Sequence, residues 1–271
     1  MDIKQTTATL LAEVRSRAPL IHNITNYVVM NSSANILLAA GASPVMAHCL
    51  AEVEEMVAMS GALVLNIGTL QEDWLASMIV AAKKANTIGI PVILDPVGAG
   101  ATSLRTTAVK KILSQADIAV VRGNASEILS LTSSGITTKG VDSSMGLSPQ
   151  VAAAARQIAQ ERNCVIAISG QEDCVTDGHQ TYRIANGHPL MARVTGTGCG
   201  LSAVTGAFCA VARGELLLAA AAAFGYYGLC GELAAEISDK PGGFFVAFMD
   251  ALYAAGNQEI DRLLKITWEQ E

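Results

Sequence analysis

Short unbroken apolar runs alternate with helix-length segments along most of this chain, and few folds accommodate that order. "ALVLNIG" (62–68) leads into "QEDWLASMIVAAKKAN", "IPVILDPVG" (90–98) into "SLRTTAVKKILSQ", and "DIAVVRG" (117–123) into "NASEILSLT". "SPVMAH" (43–48) precedes "AEVEEMVAMS", and "NCVIAISG" (163–170) follows "SPQVAAAARQIAQER". These runs are continuous rather than alternating, so each predicts a strand covered on both faces. Strand–helix alternation needs crossover connections. Such crossovers are right-handed and place helices on both sides of a mostly parallel sheet. "SPVM" predicts the first strand, with Met46 on it, and the polar residues Asn23, Thr25 and Asn26 before it predict a turn and helix cap. "CVTDGHQTYRIANG" predicts a hairpin turning at Asp177-Gly178. From Cys199 to the end the pattern is almost wholly helical. No Pro/Ser-rich linker and no internal repeat interrupts it, so residues 1–271 are expected to form one domain.

Composition narrows the function classes. Hydrophobic residues make up 51% and charged residues 15%, enough apolar material for a large core and, at the surface, for a buried subunit interface. The net charge is −6 and no Lys/Arg cluster occurs, which excludes a nucleic-acid partner. "LLLAAAAAFGYYGLCG" is the longest uncharged apolar stretch, but it is shorter than the ~20 residues of a membrane span. It reads as a buried helix, and no membrane association is expected. The N-terminal segment carries Asp2, Glu13, Arg15 and Arg17 and does not read as a signal peptide. Six cysteines without CxxC spacing predict free thiols in a reducing cytoplasm.

In a parallel sheet the ligand crevice opens outside the carboxyl ends of the strands, so chemistry is sought in the residues just after each one. In "RVTGTGCGLSAVTGAF" (193–208), Gly196, Gly198 and Gly200 leave backbone N–H groups unshielded at the start of a helix. That arrangement suits an anion; a plain glycine-rich entry to the helix explains it equally well. The loop is not a Walker A motif, and its G-x-G-x-x-A match opens no βαβ unit. A thiol at Cys199 is expected to have a lowered pKa at a helix N-terminus. A nucleophilic role needs a histidine base, for which His22, His48, His179 and His188 are the candidates in space. A packed or weakly polar cysteine is the default.

Asp95 ends a strand in "ILDPVGAGAT", where it is either the anchor of an Asx turn or a carboxylate facing hydrated Mg²⁺. Asn124 and Glu127 in "RGNASEI" have capping-box spacing, and the same spacing sets a carboxylate beside the crevice. Arg122 stands where it can meet phosphate. Taken singly, each motif is explained by local structure. Asp95, Glu127 and the glycine loop together at strand ends favour a magnesium–phosphate site.

"PLIHNITNYVVMNSSANILLAAGASPVM", "LVLNIGTL", "ILDPVGAGAT", "VVRGNASEI", "VTDG" and "VTGTGCGLSAV" together resemble the hydroxyethylthiazole kinase family, in the family's order from residue 19 to about 205. "HNITN" and the cysteine of "GTGCG" separate this family from its sugar-kinase cousins, which usually carry Asp at the Cys199 position. The resemblance implies a ribokinase-like three-layer α/β domain with a mostly parallel central sheet flanked by helices and a helical C-terminal third. It implies phosphorylation of the hydroxyl of 4-methyl-5-(2-hydroxyethyl)thiazole by ATP, in thiamine salvage. Met46 then looks like the thiazole contact, with Asn23 and Asn26 on the substrate side. Gly196 looks like the substrate-side glycine of the anion loop, with Gly198 and Cys199 beside the transferred group. Arg122 and Ser169 look like the nucleotide-contacting pair, although the family often has Lys or Thr there, and Asn124 lies next to them. Asp95 and Glu127 look like the carboxylates that organise Mg²⁺, partly through water. The family is typically a homotrimer with active sites between subunits. A thiol is an awkward base beside phosphate, so Cys199 is expected to position the hydroxyl. A kinase for another alcohol and a dehydratase of hydrated nicotinamide nucleotides share the fold. The dehydratase loop usually keeps an Asp, and Cys199 argues against it. A non-catalytic binding protein would lack the carboxylates.

Overall fold

The computed structural model describes residues 2–132 and 147–270. In chain order the elements are α1 (Ile3–Arg17), β1 (Leu20–Ile24), α2 (Met30–Ala40), β2 (Ser43–Val45), α3 (Val53–Ala58), β3 (Ala62–Asn66), α4 (Glu72–Ile88), β4 (Val92–Asp95), α5 (Ser103–Gln115), β5 (Val120–Asn124) and α6 (Ala125–Leu129). They continue as α7 (Pro149–Arg162), β6 (Val165–Ser169), β7 (Asp173–Thr176), β8 (Gln180–Ile184), a 3₁₀ turn (Pro189–Arg193), α8 (Thr197–Val211), α9 (Leu216–Ile237), α10 (Pro241–Ala254), α11 (Asn257–Leu263) and β9 (Ile266–Gln270).

One sheet runs in the order β2-β1-β3-β4-β5-β6-β7-β8-β9. The strands from β2 to β6 pair in parallel, and β7, β8 and β9 continue the sheet antiparallel. The expected mostly parallel α/β sheet is therefore present, and the hairpin turns at Asp177-Gly178 as expected, with Gly178 left-handed at φ 93°. Apolar side chains fill both faces of the sheet. On one face Leu63, Leu65, Leu94 and Val121 pack with Met78, Val109 and Ile158; on the other, Val64 and Ile93 pack with α8 and α9.

Three expectations are corrected. Of the residues expected in a turn and cap, Asn23 lies instead in β1, inside the sheet between β2 and β3, whereas Asn26 does open the turn before α2, its carbonyl accepting from Val29 N at 3.2 Å. The polar side chains of β1 are partly met: His22 Nε2 pairs with Ala47 O at 2.7 Å while His22 Nδ1 has no partner, and Asn23 Nδ2 donates to Ile21 O at 2.8 Å. The helix that follows begins after Val29, with no side-chain cap. β2 is only three residues long, and Met46 falls just past its end. The C-terminal third closes on a strand, β9, along β8.

Helix α9 is long and apolar enough to cross a membrane by length and composition, but residues 219–231 are all buried inside the fold. Its run of alanines lets α8 and α10 approach closely. Helix α8 also rests directly on the sheet: a Cβ on Gly206 would stand 2.8 Å from Val64 Cγ2, so only glycine permits that approach.

Candidate active site

Parallel register places the last residues of adjacent strands side by side, and here those residues are polar. Asn66 of β3 is paired with Asp95 of β4, and Asn124 of β5 with Ser169 of β6. Asp95 is fully buried. Its Oδ2 accepts from Asn66 Nδ2 at 2.9 Å and from Ser202 Oγ at 2.7 Å, and Arg122 Nη1 stands 3.7 Å away. Its Oδ1 is buried and has no hydrogen-bond partner. Burial raises the Asp95 pKa, while Arg122, Ser202 and Asn66 oppose the shift. Partners converge on one oxygen of this carboxylate and leave the other unspent.

A chain of amides leads from Asp95 toward the glycine loop. Asn66 Oδ1 accepts from Asn26 Nδ2 at 2.8 Å and from Gly68 N at 3.0 Å. The same Asn26 nitrogen donates to Cys199 Sγ at 3.6 Å, and Asn26 Oδ1 accepts from Val28 N at 3.1 Å. Cys199, on the first turn of α8, is thereby linked to Asp95 through two side chains. Its thiol is not acidified by the helix N-terminus, contrary to the expectation. Burial, with the Asp95 charge adding to it, pushes its pKa up to about 11. His22 and His48 do not serve it as bases, since their Nε2 atoms are engaged by the backbone of Ala47 and Thr25.

Gly196 enters α8 in the left-handed region at φ 88°. Gly200 N donates to Gly196 O at 2.8 Å and closes the first turn. The N–H groups of Thr197, Gly198 and Cys199 thus precede the intrahelical ladder and face outward from the helix N-terminus. Arg122 lies against this loop: a Cβ on Gly198 would stand 3.0 Å from Arg122 Nη1. Arg122 Nη2 donates to Ser169 Oγ at 2.6 Å, so the expected pair is hydrogen-bonded.

Asn124 and Glu127 do form the capping box of α6. Glu127 Oε2 accepts from Asn124 N and Oε1 from Gly98 N, each at 2.8 Å. Burial raises its pKa, and the charge of Asp95 adds to the shift. Glu127 therefore ties the loop after β4 to the end of β5. Arg105 of α5 tightens the same corner, donating to Ile67 O, Val97 O and Gly68 O.

Met46 stands apart from this network, at the β2 end of the row of strand termini. The strap that carries it is tied to β1 by the His22–Ala47 and His48–Thr25 contacts, and the His48 ring lies 4.3 Å from Trp74. From β2 to β6 is five strand spacings, roughly 24 Å at ~4.8 Å each. The residues that sequence reasoning passed over are Asn66 and Ser202. Asn66 ends "ALVLN" as Asp95 ends "VILD", and Ser202 lies three residues after Cys199 on the same helix face. Both signals were present in the strings.

The sheet, with a glycine-headed helix aimed at the carboxyl ends of its parallel strands, is the ribokinase-like architecture. A ribokinase-like superfamily protein from Enterococcus faecalis superposes with a TM-score of 0.65 over 92% of this chain and 95% of that one, at 12% identity, a likeness of fold alone. The hydroxyethylthiazole kinase family model (HK) matches residues 11–258. A hydroxyethylthiazole kinase from Desulfotalea psychrophila is 51% identical over 98% of this chain and 96% of its own. The solved hydroxyethylthiazole kinase protein of Pyrococcus horikoshii OT3 is 42% identical, with a TM-score of 0.90 over 98% of this chain and 100% of that one. The chain belongs to the hydroxyethylthiazole kinase family, and it is a kinase.

Proposed function

We propose that this chain transfers the terminal phosphoryl group of ATP to the hydroxyl of 4-methyl-5-(2-hydroxyethyl)thiazole, a step of thiamine salvage. The observation that carries the reading is the amide chain joining Cys199 to Asp95 beneath the N-terminus of α8. It places a hydroxyl-sized polar contact, a carboxylate and unspent backbone N–H groups around one point.

The residues divide the task by strand. Met46, Asn23 and Asn26 lie on the substrate side; Arg122, Ser169 and Asn124 take the nucleotide. Phosphoryl transfer asks mainly for alignment and charge cancellation. The N–H groups of Gly198 and Cys199, with Gly196 shaping the turn, stabilise charge on the moving phosphoryl oxygens. Cys199 and Asn26 orient the substrate hydroxyl. With its pKa at about 11 the thiol stays protonated at neutral pH, and a loose transition state needs little early deprotonation.

The unpaired, buried Oδ1 of Asp95 fits a hydrated magnesium ion. Asp95 would hold the ion directly and Glu127 from behind it; among the described residues no group of three or more His, Cys, Asp and Glu side chains makes a protein cage. Held there, the ion would supply charge neutralisation to the phosphates.

We also read residues 1–271 as one domain of a cytoplasmic homotrimer with active sites between subunits. Exposed Tyr27, Val28 and Leu50 beside the Met46 strap support an apolar contact there, and sedimentation at micromolar concentration tests it. A coupled assay of ADP release with the thiazole alcohol, a pyrimidine-methanol and hydrated nicotinamide nucleotide tests the activity. Thiazole-dependent release is expected, and its absence sinks the reading.

A further inference from the structure

Tyr227 lies in a stretch, "AAAFGYYGLCG", that reads as core and nothing else. Its ring is core: it is buried on α9 and meets Phe248 edge-on, with centroids 4.9 Å apart and planes at 85°. Its hydroxyl leaves that environment and donates to Thr197 O at 2.9 Å. Burial raises the Tyr227 pKa, so the group remains a donor across the working pH range. The approach is cleared by a glycine. A Cβ on Gly200 would stand 2.6 Å from the Tyr227 hydroxyl and 2.5 Å from Ile36 Cδ1. On the other side, Thr197 Oγ1 donates to Met191 O at 2.8 Å and to Val194 O at 3.2 Å, so the residue is held from two directions.

Thr197 O and the Gly198 N–H belong to one peptide unit. A donor on the carbonyl end draws electron density through the amide and makes the N–H end a stronger donor. That N–H is among the unspent groups at the head of α8, next to Arg122. Nothing else in the reaction chemistry above uses Tyr227.

We propose that Tyr227 is a positioning residue for phosphoryl transfer, whose hydroxyl orients and polarises the Thr197–Gly198 peptide so that the Gly198 N–H binds the phosphoryl oxygens more strongly in the transition state. The inference rests on the kinase reading above. A direct donor to a developing oxyanion is worth about a hundred- to a thousandfold in rate. Polarisation by a neighbouring hydrogen bond adds about 10–30% of a bond's strength. A share of that size in two to three decades is roughly two- to eightfold in kcat.

The test is Tyr227→Phe in the full chain, which keeps the ring and removes the hydroxyl. Its kcat should fall roughly two- to eightfold, while the KM for the thiazole alcohol and the affinity for ADP stay at wild-type values. Affinity for the planar phosphoryl mimic formed by MgADP and aluminium fluoride should fall by the same factor as kcat. Phe248→Leu, which disturbs the ring and spares the hydroxyl, should lower Tm without that selective loss. If Tyr227→Phe yields no folded protein, Gly200→Ala combined with Ile36→Val crowds the hydroxyl away from Thr197 and reads the same step. An unchanged kcat, a kcat loss without loss of mimic affinity, or equal loss of ADP, alcohol and mimic binding overturns the proposal. Absence of thiazole-dependent turnover in the wild type overturns the kinase reading instead.

Discussion

Asn66 and Asp95 are register partners on adjacent parallel strands, and the amide of the first donates to the carboxylate of the second at 2.9 Å. The same Asn66 accepts from Asn26, so it orients groups on both sides of the crevice. Asn66→Ala should lower unfolding free energy by about 1–3 kcal/mol, because it strips buried polar groups of partners. It should reduce kcat by about tenfold or more, as outer partners of an ion-organising carboxylate commonly do. Denaturant titration and steady-state kinetics check both, and a variant with wild-type kcat would show that Asp95 does not need this partner.

The Cys199 thiol, with its pKa pushed up to about 11, should resist alkylation. Iodoacetamide at pH 7 should modify the exposed Cys49 well before Cys199, as read by peptide mass spectrometry. Cys199→Ser should retain turnover to within about tenfold, because a hydroxyl can take over the contact with Asn26. Loss of all turnover in a folded serine variant would make the thiol essential and reverse the role assigned to it.

Gly196 and Gly89 separate backbone strain from function. Both have positive φ, 88° and 75°. A Cβ at Gly196 would meet Val29 Cγ1 at 3.0 Å and Ser32 Oγ at 3.1 Å, whereas one at Gly89 meets nothing within 4 Å. Alanine at either position should cost about 1 kcal/mol for the left-handed backbone. Only Gly196→Ala should also depress kcat, by shifting the head of α8. Equal kinetic loss in both variants would contradict this.

Asp173 gives a pH test. Burial raises its pKa to about 7, against a donor from Gly170 N at 2.8 Å and the charge of Arg122. A carboxyl with a raised folded-state pKa binds its proton more tightly in the native form, so it contributes falling stability as pH rises from about 4 to 7. Asp173→Asn keeps the acceptor and removes the titration. Its gain in Tm should grow across that window and level off above it. A gain independent of pH would place the shift elsewhere.

Much of this arrangement can be read from the strings, and what cannot has physical causes. β3 to β6 are continuous apolar runs because helices cover both faces, and Asp95, Arg122 and Glu127 stand out at their ends. β1 is hidden because His22 and Asn23 make it look polar; the partner of His22, Ala47 O, is 25 residues away and meets it only in the folded chain, and Asn23 turns back on Ile21 O. Cys199 misleads in the opposite way. A local rule about helix N-termini lowers a thiol pKa, but burial beside Asp95 is stronger and reverses the sign. Asn66 looks ordinary beside Asp95 until parallel register shows that the two end on the same line. Tyr227 carries no local signal, since its target lies 30 residues away in sequence.

The row of polar strand ends has a consequence for how this scaffold can change. Each strand advances the row by a fixed step of about 4.8 Å, set by backbone hydrogen bonding rather than by any side chain. The strand ends from β2 to β6 therefore act as a ruler with graduations that substitution cannot move. Substitution at a strand end changes the group presented there, not its place along the row.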